Sequence, residues 1–274
     1  MTTALALFTE IRILITKQDD DKWFLAHISD LADQAARGGY AAFSDFLDDH
    51  QRGLLSQLEG RLPSCLALFG GYPDAERVIA VLYPDYLQDS VEDMAAGEIA
   101  VLKISPADRR FLKRPLEHRD YLGAVMGTGI KREKTGDLLT KDSSGYLLVK
   151  DEIADYLIDN LASVGPAVVS VERIGADQLP PPEKGVESVV SVASMRIDTL
   201  VSHGFRMGRG EAVKLISQGL VTRNGLAVTK ADSKGAVGDR ISARGHGKMK
   251  ILEDRGLSRS GRLQLKIEVL GFKK

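Results

Sequence analysis

The sequence of 274 residues predicts an α+β protein built from several domains. Three observations predict this class. Apolar residues recur at helical spacing before residue 72, short branched apolar runs typical of strands occur within residues 73–178, and three successive prolines precede a basic C-terminal module. We therefore expect an acidic helical N-terminal domain (1–72), a central ferredoxin-like α/β-plait domain (73–178), a linker (179–185) and a C-terminal domain (186–274).

The N-terminal domain is expected to be helical because of its apolar spacing. Three aspartates at residues 19–21 are placed to start a helix. The buried stripe expected for that helix comprises Trp23, Leu25, Ile28, Leu31 and Ala32. A second helical unit is expected from the spacing of Phe43, Phe46, Leu47, Leu54, Leu55 and Leu58. The acidic residues of this domain form a solvated surface or a surface that binds a protein partner.

The central domain has the element order of a split βαβ sandwich. Its predicted order is strand, helix, two strands, helix, strand, which is the order of ferredoxin-like domains. An extra early strand, 77–84, is expected to precede them. The predicted elements are the strand 99–106, the helix 118–130, a hairpin from GDLLT and GYLLVK, the helix 151–161 and the strand 167–174.

Charge is distributed unevenly along the chain. Residues 186–274 contain 17 Lys and Arg against 8 Asp and Glu, whereas residues 1–99 contain 7 against 17. The net charge of −1 therefore conceals a basic C-terminal end and an acidic N-terminal end. Such an asymmetry indicates that the basic end binds a polyanion such as nucleic acid.

Several classes of protein are disfavoured by the composition. Cys65 is the only cysteine, which excludes an internal disulfide and fits a reducing compartment. No apolar run reaches the roughly 18 residues of a membrane helix, and Glu10 and Arg12 interrupt what would be a signal peptide. The five histidines lack metal-ligand spacing. We expect a cytoplasmic protein with no membrane partner, no metal and no cofactor.

The C-terminal module is predicted to open with two short helices and a tight hairpin. The apolar stripes of the helices are Ile197, Leu200, Val201 and Ala212, Leu215, Ile216, with Gly204 and Gly219 placed to end them. Asn224-Gly225 between two apolar runs is a strong hairpin signal, because both turn positions need a positive φ.

Cationic side chains are left for the solvent-facing surface of this module. Guanidinium and ammonium groups match phosphate oxygens, and the start of the second helix near Arg209 adds attraction for an anion. The residues expected to bind RNA are Arg196, Arg206, Arg209, Lys214, Arg223, Asn224 and Lys230. Neutralising about six phosphates predicts a salt dependence with a log–log slope of roughly −4 to −5.

This arrangement resembles the alpha-L RNA-binding domain, the module named after small-subunit ribosomal protein four. The resemblance implies binding of structured RNA. Gly208 stands where the family usually has serine, so a side-chain helix cap is absent. The matching residues are Arg196-Ile197-Asp198, Gly208-Arg209, Ala212, Leu215-Ile216, Gly219, Val221, Asn224-Gly225 and Gly238-Asp239.

A wider likeness covers most of the chain. The stretches FSDFLDDHQRGLL, FGGYPDAERVIAVLYPDY, HRDYLGAVMGTGIKREKTGD, VVSVASMRID, GHGKMKILED and SRSGRLQLKI are similar to those of YlmH-type proteins. This resemblance implies a non-enzymatic protein that associates with the large ribosomal subunit obstructed by peptidyl-tRNA, in ribosome-associated quality control. The implied partners are large-subunit rRNA and possibly tRNA, with no small-molecule substrate.

A second RNA contact is expected in the central domain. Lys131, Arg132 and Lys134 lie on a loop between the predicted helix and the next strand. The alternative is a solvated loop whose charge is compensated by Glu133 and Asp137. An aromatic RNA-recognition consensus is missing from the strands, so any contact here is expected through backbone charge.

Two other functions remain open for this sequence. Arg196-Ile197-Asp198 superficially resembles the Arg-Leu-Asp of pseudouridine synthases, but only 76 residues follow Asp198. We expect its carboxylate to pair with a nearby cation or to orient a backbone group. Gly70-Gly71 precedes a strand, unlike a methyltransferase glycine loop. The alternative function is an RNA-modifying enzyme of either type that uses the basic module to deliver RNA. A further alternative function is that of a protein-interaction scaffold without affinity for RNA.

Overall fold

The computed structural model describes residues 2–58, 60–108, 110, 112 and 114–271, with side chains from residue 19 onward. Its contacts divide the chain into two units. The first comprises Met1–Gln51 and Leu55–Pro182, and the second comprises Arg52–Leu54 and Glu183–Lys274. Helices and strands occur in both units, so the protein is α+β, as predicted. No helix in the described part of the chain is long and apolar enough to cross a membrane.

The first unit opens with a helix and a small sheet. Strand β3 lies between β1 and β2 in a three-stranded antiparallel sheet. Every residue of β3 is buried, which explains its uninterrupted apolar sequence. The elements are α1 (Thr2–Gly38), β1 (Ala42–Leu47), α2 (Asp49–Ser56), β2 (Cys65–Phe69) and β3 (Val78–Tyr83).

The prediction that residues 1–72 are entirely helical is wrong for β1 and β2. Phe43, Phe46 and Leu47 have helical spacing, but they pair with β3 across a register irregularity between Phe43 and Phe46. Both faces of this strand are covered, because Leu47 packs with α1 and Phe46 packs with Val101 of the next sheet. A strand buried on both faces shows no alternation in its sequence.

One residue of the expected α1 stripe faces outward. Ile28 and Ala32 are buried as predicted, and Ala35 joins them. Trp23, in contrast, is 77% exposed. The helical period fits a stripe through residues 28, 32 and 35 better than one that includes residue 23.

The rest of the first unit is a five-stranded antiparallel sheet with the helices α3, α4 and α5. The strand order is β5-β6-β4-β8-β7. Residues 99–174 follow the predicted order of strand, helix, two strands, helix, strand, to which the short β7 adds an edge. The elements are α3 (Val91–Gly97), β4 (Ile99–Pro106), α4 (His118–Gly127), β5 (Thr135–Lys141), β6 (Ser144–Lys150), α5 (Ala154–Asn160), β7 (Ser163–Val164) and β8 (Ala167–Ile174).

The two sheets of the first unit pack against each other. Leu102, Tyr121 and Leu147 belong to the core between the five-stranded sheet and its helices, whereas Val101 and Leu148 face Phe46 and β3. The expected early strand 77–84 is β3, and it belongs to the three-stranded sheet and not to the five-stranded one. The boundary drawn after residue 72 falls between two strands of one sheet, and the division into domains stays a prediction.

The second unit is a six-stranded antiparallel sheet covered on one face by two helices. The strand order is β11-β10-β12-β13-β14-β9, in which β10 and β11 form the predicted hairpin. Ile197, Leu200 and Ile216 of the helices pack against Ile241 and Met249 of the sheet. The elements are β9 (Val186–Val192), α6 (Ile197–Gly204), α7 (Arg209–Ser217), β10 (Val221–Arg223), β11 (Leu226–Ala227), β12 (Arg240–Ala243), β13 (Gly247–Leu257) and β14 (Leu263–Leu270).

Glycines and residues with positive φ shape the turns that follow α6, α7 and β10. Gly204 is the last residue of α6, and a Cβ there would lie 2.2 Å from the Met249 sulfur, so this glycine permits close packing. Two residues after Gly204, Arg206 adopts the left-handed conformation, with a φ of 54°. Gly219 after α7 and the pair Asn224-Gly225 have positive φ, which confirms the predicted turns.

Candidate nucleic-acid interface

A buried aspartate joins two arginines at the start of the helix pair. Arg196 donates from Nε and Nη2 to the two carboxylate oxygens of Asp198, at 3.1 and 2.9 Å. Arg209, the first residue of α7, donates from Nε and Nη2 to Asp198 Oδ2, at 3.2 and 2.9 Å. The Asp198 side chain is only 2% exposed, whereas that of Arg209 is 62% exposed. We call Arg196, Asp198 and Arg209 the Asp198 cluster.

The charges of the Asp198 cluster are fixed by these contacts. The hydrogen bond from Arg196 lowers the pKa of the Asp198 carboxyl, burial opposes this, and the hydrogen bond from Arg209 adds to the lowering, so the pKa lies well below its usual range. The same hydrogen bond raises the pKa of Arg196. The cluster therefore holds one negative and two positive charges throughout the neutral pH range. Its net charge is positive, and its outward-facing groups are guanidiniums.

A second carboxylate organises the neighbouring hairpin. Asp239 is buried and accepts hydrogen bonds from Asn224 Nδ2 at 2.8 Å and from the Ala236 amide at 2.6 Å. Arg223 Nε lies 2.6 Å from Asp239 Oδ2 and forms an ion pair with it. The Nε–H bond does not point at this oxygen, so the ion pair is not also a hydrogen bond. Asn224 Oδ1 accepts the Arg240 amide at 2.8 Å. We call Arg223, Asn224 and Asp239 the Asp239 cluster.

The loop 230–234 joins the two clusters. The carbonyl of Lys234 accepts a hydrogen bond from Arg223 Nη1 at 2.9 Å, and the backbone of Lys234 forms a β-bridge with Arg196. The Asp198 amide donates to the Ala231 carbonyl at 3.0 Å, which places the preceding Lys230 beside the start of α6. Four predicted residues of the module thus share one neighbourhood: Arg196, Arg209, Arg223 and Lys230.

The remaining cations of the module lie elsewhere on its surface. Lys214 is exposed on α7, five residues after Arg209. Five residues rotate a helix by about 140°, so Lys214 projects from a different side. Arg206 is exposed in the turn between α6 and α7. No contact described for Lys214 connects it to the Asp198 cluster.

Three cations of the central domain were predicted to contact RNA. Lys131 is exposed, whereas Arg132 and Lys134 make hydrogen bonds to other groups of the protein. Lys131 is 78% exposed, with Glu133 at 3.6 Å. Arg132 donates to the carbonyls of Thr135 and Gly136, at 2.8 and 3.0 Å. Burial, followed by the charge of Arg77, lowers the pKa of Arg132.

Lys134 lies between two carboxylates. Its ammonium group donates to Asp45 at 2.8 Å and to Glu152 at 2.7 Å. Burial opposes its charge, but these hydrogen bonds outweigh it and raise the pKa of Lys134. The three cations of this loop are therefore not equivalent, and Lys131 is the one that presents its charge to solvent.

A buried network holds the same loop in place. Arg77 donates from Nε to the Thr135 carbonyl and from Nη2 to the Phe46 carbonyl, each at 2.9 Å. Asp137 accepts the Tyr72 hydroxyl at 2.6 Å. Burial, and then the hydrogen bond to Asp137, raises the pKa of Tyr72. These groups link β1, β3 and β5, so they serve the packing of the two sheets of the first unit.

The structure confirms the expected pairing of Asp198 with a nearby cation. Both carboxylate oxygens accept hydrogen bonds, and the Thr199 hydroxyl adds another at 3.2 Å. Such a carboxylate has no position left for a substrate. Among the described residues, no group of three or more His, Cys, Asp or Glu is arranged to hold a metal ion.

Sequence reasoning missed the role of Lys234 and of the loop 230–234. The loop reaches Arg196 and Arg223 through main-chain groups, and main-chain hydrogen bonds leave no residue-specific signal. The two buried aspartates were visible as members of the Arg-x-Asp and Gly-Asp pairs. An acidic residue at a fixed place in a basic module is a signal from which the role of Asp239 in positioning Arg223 and Asn224 could have been predicted.

Comparisons with known proteins identify relatives of this chain. A family model described as the putative RNA-binding domain in YlmH matches residues 92–178, the region of the five-stranded sheet. The ribosome-associated protein quality control protein P2 of Bacillus subtilis (strain 168) is 32% identical over 226 residues, which cover 82% of this chain and 86% of that protein. The structure of cell division protein YlmH from Streptococcus pneumoniae has 22% identity and a TM-score of 0.49, covering 59% of this chain and 95% of that one.

The class defined by these findings is that of proteins with an RNA-binding domain. The identity to the Bacillus subtilis protein over most of both chains specifies the family. The chain belongs to the YlmH family.

Proposed function

We propose that this protein is a non-enzymatic RNA-binding factor that acts in the cytoplasm on the large ribosomal subunit carrying peptidyl-tRNA, in ribosome-associated quality control. Two comparisons support this function: the family model is described as an RNA-binding domain, and the Bacillus subtilis relative is named as a ribosome-associated quality control protein. The observation that carries the proposal is the Asp198 cluster, in which a buried carboxylate orients two guanidinium groups at the surface.

The Asp198 cluster suits recognition of RNA backbone. Arginine is most effective toward phosphate when its planar group is held in one orientation. The contacts to Asp198 use Nε and Nη2 of each arginine, so they leave Nη1 for a phosphate oxygen. Orientation by a buried partner reduces the side-chain entropy lost on binding. Arg223 and Lys230 extend the same surface, and large-subunit rRNA next to a bound tRNA is the proposed ligand.

The domain assignments belong to the same proposal. The strand order β5-β6-β4-β8 over residues 99–174 supports a ferredoxin-like central domain. The helix pair followed by the Asn224-Gly225 hairpin supports an alpha-L domain over residues 186–274. Lys131 supplies a second phosphate contact from the central domain, within the segment matched by the family model.

Sedimentation of cell lysate tests the proposal. The variant R209E reverses one charge of the Asp198 cluster, and R259E makes the same change in the exposed turn after β13. We expect the parent and R259E to co-sediment with large subunits in a sucrose gradient and R209E to shift to the top. Co-sedimentation of R209E at the level of the parent would show that this face does not hold the RNA.

The absence of catalysis is tested separately. The engagement of both Asp198 oxygens disfavours a pseudouridine synthase role. The pure protein is incubated with rRNA, with and without S-adenosylmethionine, and modified nucleotides are mapped. We expect no new methylation or pseudouridine, and the appearance of either would replace the proposal by the enzymatic function.

A further inference from the structure

Both faces of the five-stranded sheet are covered by other elements of the first unit. RNA-recognition domains with a four-stranded sheet stack bases on aromatic side chains of an open sheet face. Here α4 and α5 cover one face, where Tyr121 and Leu157 are buried. The three-stranded sheet covers the other face, where Val101 and Leu148 pack with Phe46. The main surfaces left for a base in this part of the chain are therefore its helices and loops.

Tyr156 of α5 carries an aromatic ring on the helix side of this sheet. The residue is 47% exposed, whereas Ala154 and Leu157 of the same helix are buried. Its hydroxyl donates to the carbonyl of Thr128 at 2.9 Å, and Thr128 is the residue that follows α4. The side chain is thus held at one end by α5 and at the other by the end of α4.

This anchoring suits the ring to stacking. A carbonyl at the exposed end of a helix can accept a hydrogen bond from water, so capping of α4 does not by itself require a tyrosine. The hydroxyl contact restricts both side-chain torsions of Tyr156 before any ligand arrives. A ring that is already held in place loses little conformational entropy when a base stacks on it.

The surface beside the ring is main chain. Gly127 and Gly129 flank Thr128, and a Cβ at either position would meet nothing within 4 Å outside the adjoining chain. A planar base can therefore approach Thr128 and the ring without displacing a side chain. Lys131, whose side chain is exposed, follows Thr128 by three residues, which span at most about 11 Å.

Lys131 and Tyr156 supply two complementary interactions. Proteins that bind single-stranded nucleic acid combine cations that follow the backbone with aromatic rings on which bases stack. Asp155 and Asp159 are exposed on α5 next to Tyr156, and their carboxylates oppose the approach of phosphate along that helix. The RNA backbone is therefore favoured on the Lys131 side of the ring.

We propose that Tyr156 stacks against an unpaired base of RNA and that Lys131 contacts the phosphate backbone beside that base. The inference rests on the proposed function for RNA as the ligand, and on the exposure and anchoring of the ring for the site. Tyr156 lies within residues 92–178, which the family model of an RNA-binding domain matches. Every base has a π-face, so the site should require an unpaired base and show little sequence preference.

Binding of two RNA probes to the full-length protein tests this inference. One probe is a single-stranded oligonucleotide that contains the fluorescent base 2-aminopurine, and the other is a blunt duplex of the same sequence. The variants Y156A and Y156L remove the ring, whereas Y156F keeps it without the hydroxyl. The matched control is Y86A, because Tyr86 is also exposed, donates its hydroxyl to the carbonyl of Gly39 and lies outside residues 92–178.

We expect Y156A and Y156L to bind the single-stranded probe about tenfold more weakly than the parent, at low and at high salt alike, because stacking is an uncharged interaction. Y156F and Y86A should stay within about threefold of the parent and quench 2-aminopurine as the parent does. Y156A and Y156L should lose this quenching. All variants should bind the duplex as the parent does.

Three results would overturn the stacking site and leave the proposed function intact. The first is binding of the single-stranded probe by Y156A and Y156L equal to that of the parent. The second is a loss in Y156F as large as in Y156A, since the hydroxyl would then be responsible. The third is an equal loss on the duplex, which indicates a structural role for Tyr156. Failure of the parent to bind either probe would refute the proposed function, and the stacking site with it.

Discussion

The guanidinium of Arg209 donates two hydrogen bonds to Asp198, eleven residues earlier in the chain, and these bonds join the first turn of α7 to the first turn of α6. Arg196 occupies the other side of the same carboxylate. A single buried negative charge therefore determines where two surface positive charges lie. In the proposed function, Asp198 is therefore a positioning residue for the two arginines.

Replacing Asp198 by asparagine is expected to weaken RNA binding about tenfold. By net charge alone, loss of an acidic residue should strengthen binding to RNA, so the expected decrease reports lost orientation. The buried charged hydrogen bonds also contribute to stability, and D198N should unfold with a free energy about 1–3 kcal/mol lower. Fluorescence anisotropy with an RNA hairpin and urea unfolding measure the two effects.

The matched control is E211Q, which removes an exposed negative charge from α7. We expect E211Q to bind RNA as well as the parent or slightly better. If D198N behaved like E211Q in both assays, the arginines would not need Asp198 for their orientation.

Acid should remove the contribution of Asp198 to stability. Its pKa in the folded protein is lowered by Arg196, against the opposing effect of burial, whereas an unfolded aspartate has a pKa of about 3.9. A lowered folded pKa stabilises the protein above the unfolded pKa, and this stabilisation is lost as the pH falls below it. The difference in unfolding free energy between the parent and D198N should stay constant from about pH 7 to pH 5 and shrink below about pH 4. Urea titrations across this range measure it, and a difference that shrank already at pH 6 would contradict the assignment.

Asn224 is expected to act through the fold of the hairpin. N224A removes hydrogen bonds to Asp239 and Arg240 and places alanine at a φ of 49°, so it should cost about 2–3 kcal/mol. N224G tolerates the backbone conformation and should cost about 1–2 kcal/mol, from the hydrogen bonds alone. Thermal and urea unfolding measure these costs, and we expect stability to decrease from the parent to N224G and then to N224A. Equal stability of N224A and N224G would show that the positive φ carries no cost.

The central loop offers a contrast between two lysines. K131E should weaken RNA binding and reduce the log–log salt slope by about 1, because Lys131 presents its charge to solvent. K134M should leave the slope unchanged and lower the unfolding free energy by up to about 1 kcal/mol, because Lys134 pairs with Asp45 and Glu152. Salt titrations of RNA affinity on both variants distinguish the two roles, and a reduced slope in K134M would reassign Lys134 to the RNA contact.

Local features were predictable from the sequence. The turn at Asn224-Gly225 and the end of α7 at Gly219 depend on the φ preference of one or two residues. The order of elements over residues 99–174 follows from apolar periods within single segments. The uneven charge and the likeness to YlmH-type proteins are also properties of the one-dimensional chain.

Features that depend on distant partners were decided by the tertiary structure. Phe46 lies in a strand because β3 pairs with it and a second sheet covers it, and a strand covered on both faces has no alternation to read. Lys134 was predicted to contact RNA, yet it donates to Asp45, which lies 89 residues away in the chain. Lys234 meets Arg196 through main-chain groups that any sequence carries. Composition and local spacing thus determined which charges and turns this protein has, whereas long-range pairing decided which charges remain at the surface.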